Sequence, residues 1–274
     1  MISNSNYDVS AIWEVEIDIL KEIDRICSEN DLNYSMAYGT LLGAIRHKGF
    51  IPWDDDVDII MPADDYDKFI SICKSELGVK YLMQNKDNSD DFTQNFTKIR
   101  KKNTTFIHSE NERRYKYHKG IFVDVFPGYR VPKNKLLRKL QYILCAFNLL
   151  YAREFSKSIG VKGIIEKILL TRSHIFRIKA YSFTDKIIKK ISSSSTKTIG
   201  WVFPNTIEWA KKIYPTDMFE NMERISFHNE EFMAVNDTDR ILRMDYGDYW
   251  KLPPESERVS KHHPIIVSLT ENLD

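Results

Sequence analysis

Two periods of apolar and polar positions run through the first half of the chain. In "AIWEVEIDILKEIDRICSE" (residues 11–29), Ile12, Val15, Ile19, Ile23 and Ile26 recur at helical spacing, and Ser10 stands where a cap belongs. "YSMAYGT" predicts a short strand running into a glycine turn, and "LLGAIRHKG" a short helix closed by Gly49. "DVDIIM" alternates and is rich in β-branched residues, so it predicts a strand. A helix is predicted over 64–76, and strands near 80–83, 96–100 and 121–126. Interleaving of this kind predicts an α/β (α+β) fold, a mixed sheet flanked by helices.

The pattern changes after Pro127 and Pro132. Residues 133–191 have a helical period, with Leu136, Leu140, Ile143, Phe147 and Leu150 in one apolar stripe. Ile164, Ile165, Ile168, Leu169, Ile175 and Phe176 form another. "SSSSTKT" (192–198) is of low complexity and predicts a linker or mobile loop. Farther on, "RISFHNEEFMAVN" predicts a hairpin turning at Asn229–Glu230, and Asp237 is placed to cap a helix ending at Gly247. These shifts divide the chain into a core over 1–130, a basic helical insertion or subdomain over 131–198, and a mixed segment over 199–274.

With 42% hydrophobic and 29% charged residues in 274, the chain has the composition of a folded globular protein. Cys27, Cys73 and Cys145 are odd in number and lack ligand spacing, which predicts reduced thiols in a cytosolic compartment. The polar start "MISNSNYDVS" lacks the pattern of a secretory signal. The apolar run "YILCAFNLLYA" is about half the length of a membrane span, so a soluble protein is expected. The net charge of +1 conceals an asymmetry: 131–190 carries 14 Lys and Arg against 3 Asp and Glu, leaving 26 basic and 36 acidic residues elsewhere. Surface helices commonly have charged outer faces; the functional alternative is docking on an anionic membrane. No nucleic-acid-binding motif accompanies the charge, so nucleic acid is not expected as a partner.

"GFIPWDDDVDIIMP" crowds Asp54, Asp55, Asp56 and Asp58 beside a predicted strand. Residues i and i+2 of a strand share a face, so Asp56 and Asp58 would converge, a hard oxygen pair suited to Mg²⁺ or Mn²⁺. Asp54 and Asp55 precede the alternation and read as solvated loop. Asp124, in "GIFVDVFPG", would join the pair if the two strands are neighbours; otherwise it is a buried hydrogen-bonded aspartate. Gly39 and Thr40 lie between a strand and a helix, where free N–H groups favour a phosphate. Lys98 and Arg100 share a strand face and are either phosphate contacts or solvated cations, and Arg258 is a candidate phosphate clamp. Adjacent His262 and His263 have no further ligand at zinc spacing.

"YSMAYGTLLGAIRHKGFIPWDDDVDIIMP" resembles the signature of the LicD family, within the nucleotidyltransferase-fold superfamily, and "FTKIRKKNTTF" and "YGDYWKLPPESER" are also family-like. The resemblance covers roughly 30–130 and 240–264 and does not extend into 131–190. Gly39–Thr40 match the family's turn, Asp56 and Asp58 its acid pair, and Asp124 its third acid. The resemblance implies metal-dependent transfer of a phospho-alcohol, phosphocholine foremost, from CDP-choline or another CDP-alcohol to a sugar hydroxyl of a surface glycan, with release of CMP. Asp56, Asp58 and Asp124 would hold Mg²⁺ (or Mn²⁺), with Asp124 alternatively accepting the hydroxyl proton. Gly39, Thr40, Lys98, Arg100 and Arg258 would contact the donor phosphates. A saccharide acceptor would suit a cytoplasmic enzyme, and a lipid-linked one an enzyme peripheral at the inner face of the cell membrane. A choline donor needs aromatic neighbours, for which Trp53, Trp201, Trp209, Tyr246, Tyr249 and Trp250 are available. The alternatives are nucleotidyl transfer from an NTP, with pyrophosphate leaving, and a non-catalytic binding protein on the same fold.

Overall fold

The computed structural model describes residues 2–3, 9–89, 92, 94–110, 112–151, 174–194, 197–260 and 262–273. In chain order the elements are β1 (Ile2–Ser3), α1 (Val9–Glu29), β2 (Ser35–Met36), α2 (Tyr38–His47), β3 (Asp58–Pro62), α3 (Ala63–Glu76), β4 (Tyr81–Gln84), β5 (Thr97–Lys101) and β6 (Thr105–Ile107). There follow β7 (Phe122–Pro132), α4 (Lys135–Tyr151), α5 (His174–Ser194), β8 (Thr198–Val202), β9 (Met222–Phe227), β10 (Glu230–Val235), α6 (Thr238–Tyr246) and β11 (Ile266–Ser268). The central sheet is mixed, in the order β2-β3-β7-β5-β4 with β8 paired to β7, as the interleaved pattern predicts.

Contacts divide the chain into two compact units: Met1–Gln84, Lys98–Val125 and Phe219–Asp274 form one, Asn85–Thr97 and Phe126–Met218 the other. The first unit holds β2, β3, β4 and the opening of β7, with α1 and α3 packed together. Val57, Ile59, Met61, Val123 and Val125 are fully buried, joined by Ile19, Leu20, Ile23 and Ile26 of α1. The β9–β10 hairpin is fastened to β2 by side chains: Met233 N–H donates to the Tyr34 hydroxyl (3.2 Å) and Val235 N–H to Ser35 Oγ (3.1 Å). Strand β11 lies between β1 and β6 in a small antiparallel sheet that the sequence pattern does not announce, its strands being of two or three residues.

Several boundaries shift for identifiable reasons. Helix α1 begins at Val9, before Ser10. Helix α2 begins at Tyr38, so "YSMAYGT" is strand only at Ser35–Met36, and Gly39 and Thr40 sit inside the first helical turn. Its left-handed closure falls on Lys48 (φ 59°) rather than Gly49, with the Lys48 N–H donating to the Gly43 carbonyl, and the Gly49 carbonyl packs where a side chain on Gly43 would lie. The hairpin turn is His228–Asn229, with φ 51° and 65°, the two positive values that a type I′ turn requires. Asp237 does cap α6, accepting from Arg240 N–H, and Gly247 closes it at φ 68°.

In the second unit β7 continues through Pro127 to Pro132, past the predicted break, and pairs antiparallel with β8 from Tyr129. Proline lacks only a donor, and Pro127 precedes the paired stretch. Helices α4 and α5 pack on each other. Ser192–Ser194, expected in a linker, end α5, and Ser192 Oγ accepts from Arg130 N–H (2.7 Å). The Leu136 stripe of α4 faces outward instead of into a core, while Gln141, Cys145, Asn148 and Leu149 are buried. Ile164, Ile165, Ile168 and Leu169 lie outside the described residues.

Helix α1 departs most from its pattern at Glu16, which is buried while Val15 is half-exposed. Among the described residues Glu16 Oε2 has no hydrogen-bond partner. Burial first, then the charges of Asp56, Asp55, Asp54 and Asp58, hold its pKa well above the usual carboxylate range. A carboxyl raised in the folded state contributes stability in acid that is lost as pH rises from its unfolded toward its folded pKa. Glu16→Gln is therefore expected to raise Tm in chelator near pH 8, by about 2–4 °C per kcal/mol of penalty removed. The gain should shrink toward about pH 4, where the carboxyl is protonated on both sides of the transition. Calorimetry across that range checks it; a gain independent of pH would contradict the assignment.

Candidate active site

The acidic run is stitched to the α2 turn by short local contacts. Ala37 N–H donates to the Asp58 carbonyl (3.0 Å), and Asp58 N–H donates to Thr40 Oγ1 (2.8 Å). Tyr38 opens the turn in a left-handed conformation, φ 48°, strain that a bulky residue sustains only when its surroundings enforce it. Gly39 lies directly against the Asp54 carboxylate, and a Cβ there would collide with it. Trp13 Nε1 donates to the Asp54 carbonyl (2.9 Å), holding the run from the α1 side.

Asp58 opens β3, and Asp56 lies in the extended segment before it. Strand β7 is β3's neighbour, and Asp124 N–H donates to the Val57 carbonyl (2.9 Å), so the third acid does lie beside the pair. Lys98 Nζ bonds both Asp124 oxygens, at 2.7 and 2.9 Å, in a buried ion pair. The same ammonium lies 3.2 Å from the centre of the Phe122 ring. The solvated-cation reading therefore holds for neither Lys98 nor Arg100. Arg100 is fully buried, donating to Gln84 Oε1 and to the Gly120 carbonyl (2.6 Å). Arg258 is half-buried, donates to the Pro253 carbonyl (2.9 Å) and stands 6.0 Å from the Trp53 ring.

Asp55 is a correction. Expected in solvent, it is 1% exposed, accepting from Ser260 Oγ (2.5 Å) and pairing with His262 Nδ1 (2.9 Å). His262 Nε2 lies 3.6 Å from Asp56 Oδ2, so the imidazole bridges two of the acids. His108 packs beside it, ring centres 4.9 Å apart. Sequence reasoning missed Asp55, Glu16, His108 and Ser260. Glu16 left a trace, an acid four residues after Ile12 inside the apolar stripe of α1, and Asp55 stood in the acidic run but was assigned to solvated loop; His108 and Ser260 left none.

The electrostatics favour a cation. Burial first, then the neighbouring charges of Asp56 and Asp124, raises the Asp58 pKa well above the usual carboxylate range. Asp56 is also raised by burial, against the pull of His262. Burial lowers Lys98 despite Asp124. Burial opposes charging His262, but the hydrogen bond to Asp55 and the charges of Asp56 and Asp55 outweigh it and raise its pKa. Burial, with His262 and Lys98 nearby, pushes His108 down to about 3. Among the described residues no three His, Cys, Asp or Glu side chains form a ready ligand cluster. The donor chemistry nonetheless fits a hard divalent cation: buried carboxylates crowded together and an orphaned Glu16 oxygen.

The aromatic cluster expected near the C-terminal end divides. Tyr249 is buried and donates to Asp239 Oδ1 (2.8 Å), whereas Tyr246 and Trp250 are exposed. Burial first, then the charges of Asp245 and Asp58, raises the Tyr246 pKa.

The chain is similar to a known protein over most of its length. Residues 31–159 match the model of "LicD/FKTN/FKRP, nucleotidyltransferase domain". The lipopolysaccharide cholinephosphotransferase LicD of Haemophilus influenzae is 29% identical over 252 residues, 90% of this chain and 92% of that protein. An uncharacterized protein of Rickettsia prowazekii is 46% identical over 48 residues, 17% of this chain and 18% of that protein. A counterpart in Rickettsia typhi matches to the same identity and length, 16% of that protein. The α2 turn, Asp56, Asp58 and Asp124 all lie inside the matched residues, so the chain carries a LicD-type nucleotidyltransferase domain over residues 31–159.

Proposed function

We propose that this chain transfers phosphocholine, or a related phospho-alcohol, from a CDP-activated donor to a sugar hydroxyl of a cell-surface glycan, releasing CMP. The observation that carries the reading is the placement of Asp56, Asp58 and Asp124 on neighbouring segments beside the first turn of α2. Similarity to a lipopolysaccharide cholinephosphotransferase over 90% of the chain supports the choice of alcohol and acceptor. In this reading the hydroxyl oxygen bonds to the phosphorus that bears the alcohol, and the bond from that phosphorus to the oxygen of CMP breaks. Asp124 accepts the hydroxyl proton: Lys98 holds its carboxylate in one orientation, and each oxygen keeps a second acceptor site. Asp56 and Asp58 would hold Mg²⁺ or Mn²⁺, with Glu16 behind them. Such an ion, when bound, neutralises charge on the diphosphate and the departing CMP.

Amides of Gly39 and Thr40 receive donor phosphate oxygens, the Asp54 carboxylate giving way to them. Arg258 approaches the donor from the Trp53 side. Tyr246 and Trp250 offer aromatic faces to a quaternary ammonium, which the surplus of carboxylates also attracts. Arg100, tied to Gln84 and Gly120, supports the strand that carries Lys98 rather than reaching a ligand.

Calorimetric titration with CDP-choline, CDP-ribitol, CDP-glycerol and CTP, with and without Mg²⁺, is the test. Mg²⁺-dependent binding of one CDP-alcohol, abolished in Asp56→Asn/Asp58→Asn, is the expected result. Preference for CTP, with pyrophosphate as product, would replace it with nucleotidyl transfer. A folded protein that binds none of them would be a non-catalytic relative. Lys98→Met leaves Asp124 buried and unpaired; it should cost about 3–5 kcal/mol in urea unfolding and lower turnover about 100-fold. Lys98→Met/Asp124→Asn should recover much of the stability and none of the turnover, a divergence that separates proton transfer from mere packing.

A further inference from the structure

Helix α4 is built inside out. Its buried residues are Gln141, Cys145, Asn148 and Leu149, and both polar ones are satisfied within the second unit. Gln141 Nε2 donates to the Arg130 carbonyl (2.9 Å), and Asn148 Oδ1 accepts from Thr184 Oγ1. Leu136, Leu140, Ile143 and Phe147 are 79%, 42%, 40% and 39% exposed. At 100° per residue these four cluster on one side and the buried four on the opposite side. An amphipathic helix normally turns its apolar stripe inward, and contiguous apolar surface left outside marks an interaction face.

The charge around the stripe identifies the partner. Lys133, Lys135 and Lys139 are exposed beside it, Arg138 is half-buried, and no Asp or Glu occurs between Val131 and Tyr151. Helix α5 adds exposed Ile175 and Phe183 together with Arg177, Lys179, Lys186, Lys189 and Lys190. Its sole acid, Asp185, accepts from the Tyr129 hydroxyl and pairs with Lys189. No helix among the described residues is long and apolar enough to cross a membrane.

We infer that the outer face of α4 docks in the plane of an anionic lipid bilayer, the leucine and phenylalanine side chains entering the acyl boundary and the lysines meeting the headgroups. A stripe of large apolar residues flanked by cations, on a helix too short to span, has the chemistry of an interfacial anchor. An acidic peptide would satisfy the lysines and leave Leu136 without an apolar partner, and a second copy would bring the same positive charge face to face. The inference rests on the second unit alone and stands independently of the transferase reading.

Sedimentation of the full chain with vesicles tests it. Binding is expected to vesicles of phosphatidylglycerol and phosphatidylethanolamine, not to pure phosphatidylcholine, and should weaken with salt. Lys135→Gln/Lys139→Gln should weaken it roughly 30-fold, about fivefold per lysine. Leu136→Ser, at the most exposed position of the stripe, should weaken binding strongly with Tm nearly unchanged. No binding of the wild type to anionic vesicles would overturn the inference. So would a large fall in Tm of the serine variant, which would place the stripe against another part of the chain. A dimer in light scattering that the serine variant dissolves would assign the face to a second copy.

Discussion

Mutual repulsion among crowded, buried and half-buried carboxylates is the constraint on which the first unit depends. Glu16, Asp54, Asp55, Asp56, Asp58 and Asp124 come from α1, from the run that leads into β3 and from β7, and their charges act on one another. Such crowding survives only where each group is held or offset. Asp124 is held by Lys98 from β5, Asp55 by Ser260 and His262 from the C-terminal segment. That dependence explains the composition of the unit. The C-terminal segment returns to the N-terminal unit and brings its imidazole and hydroxyl to Asp55, and the β9–β10 hairpin is fastened to β2. Asp58, with no cation assigned to it in this way, has a pKa well above the ordinary range and is where an added positive charge would be felt most.

Local chemistry explains which parts of this were legible in the sequence. Helices α1 and α3 and strands β3, β4, β5 and β7 follow from period and residue type, since each is long enough to repeat its pattern. Asp56, Asp58 and Asp124 were readable for the same reason, being acids set among strand-forming residues. Strands β6 and β11 were not, because two or three residues carry no period. The burial of Asp55 and its partners Ser260 and His262 depends on contacts across more than 200 positions, |i−j| of 205 and 207, which no window along the chain contains. Arg100 failed for another reason: alternation placed it correctly on a face with Lys98, but alternation does not say whether that face is wet. The stripe on α4 is the same failure in reverse. Period identified the apolar side of the helix, and only the structure shows that this side points outward.

The first turn of α2 joins the two themes of charge and close approach. A helix N-terminus presents free N–H groups to an anion, and here the nearest anion is the chain's own Asp54 carboxylate against Gly39. The turn is strained at Tyr38 and locked to β3 through Thr40 Oγ1 and the Ala37 amide, so its N–H groups are aimed before any ligand arrives. Glycine at 39 thus meets two demands with one missing side chain. It admits Asp54 now, and it would admit a phosphate oxygen in the same place. A larger residue would break both arrangements at once, and the repulsion within the acidic run would lose one of its outlets. Fold and chemistry would share this turn: in the proposed reaction a donor phosphate would take the place that the Asp54 carboxylate holds against Gly39.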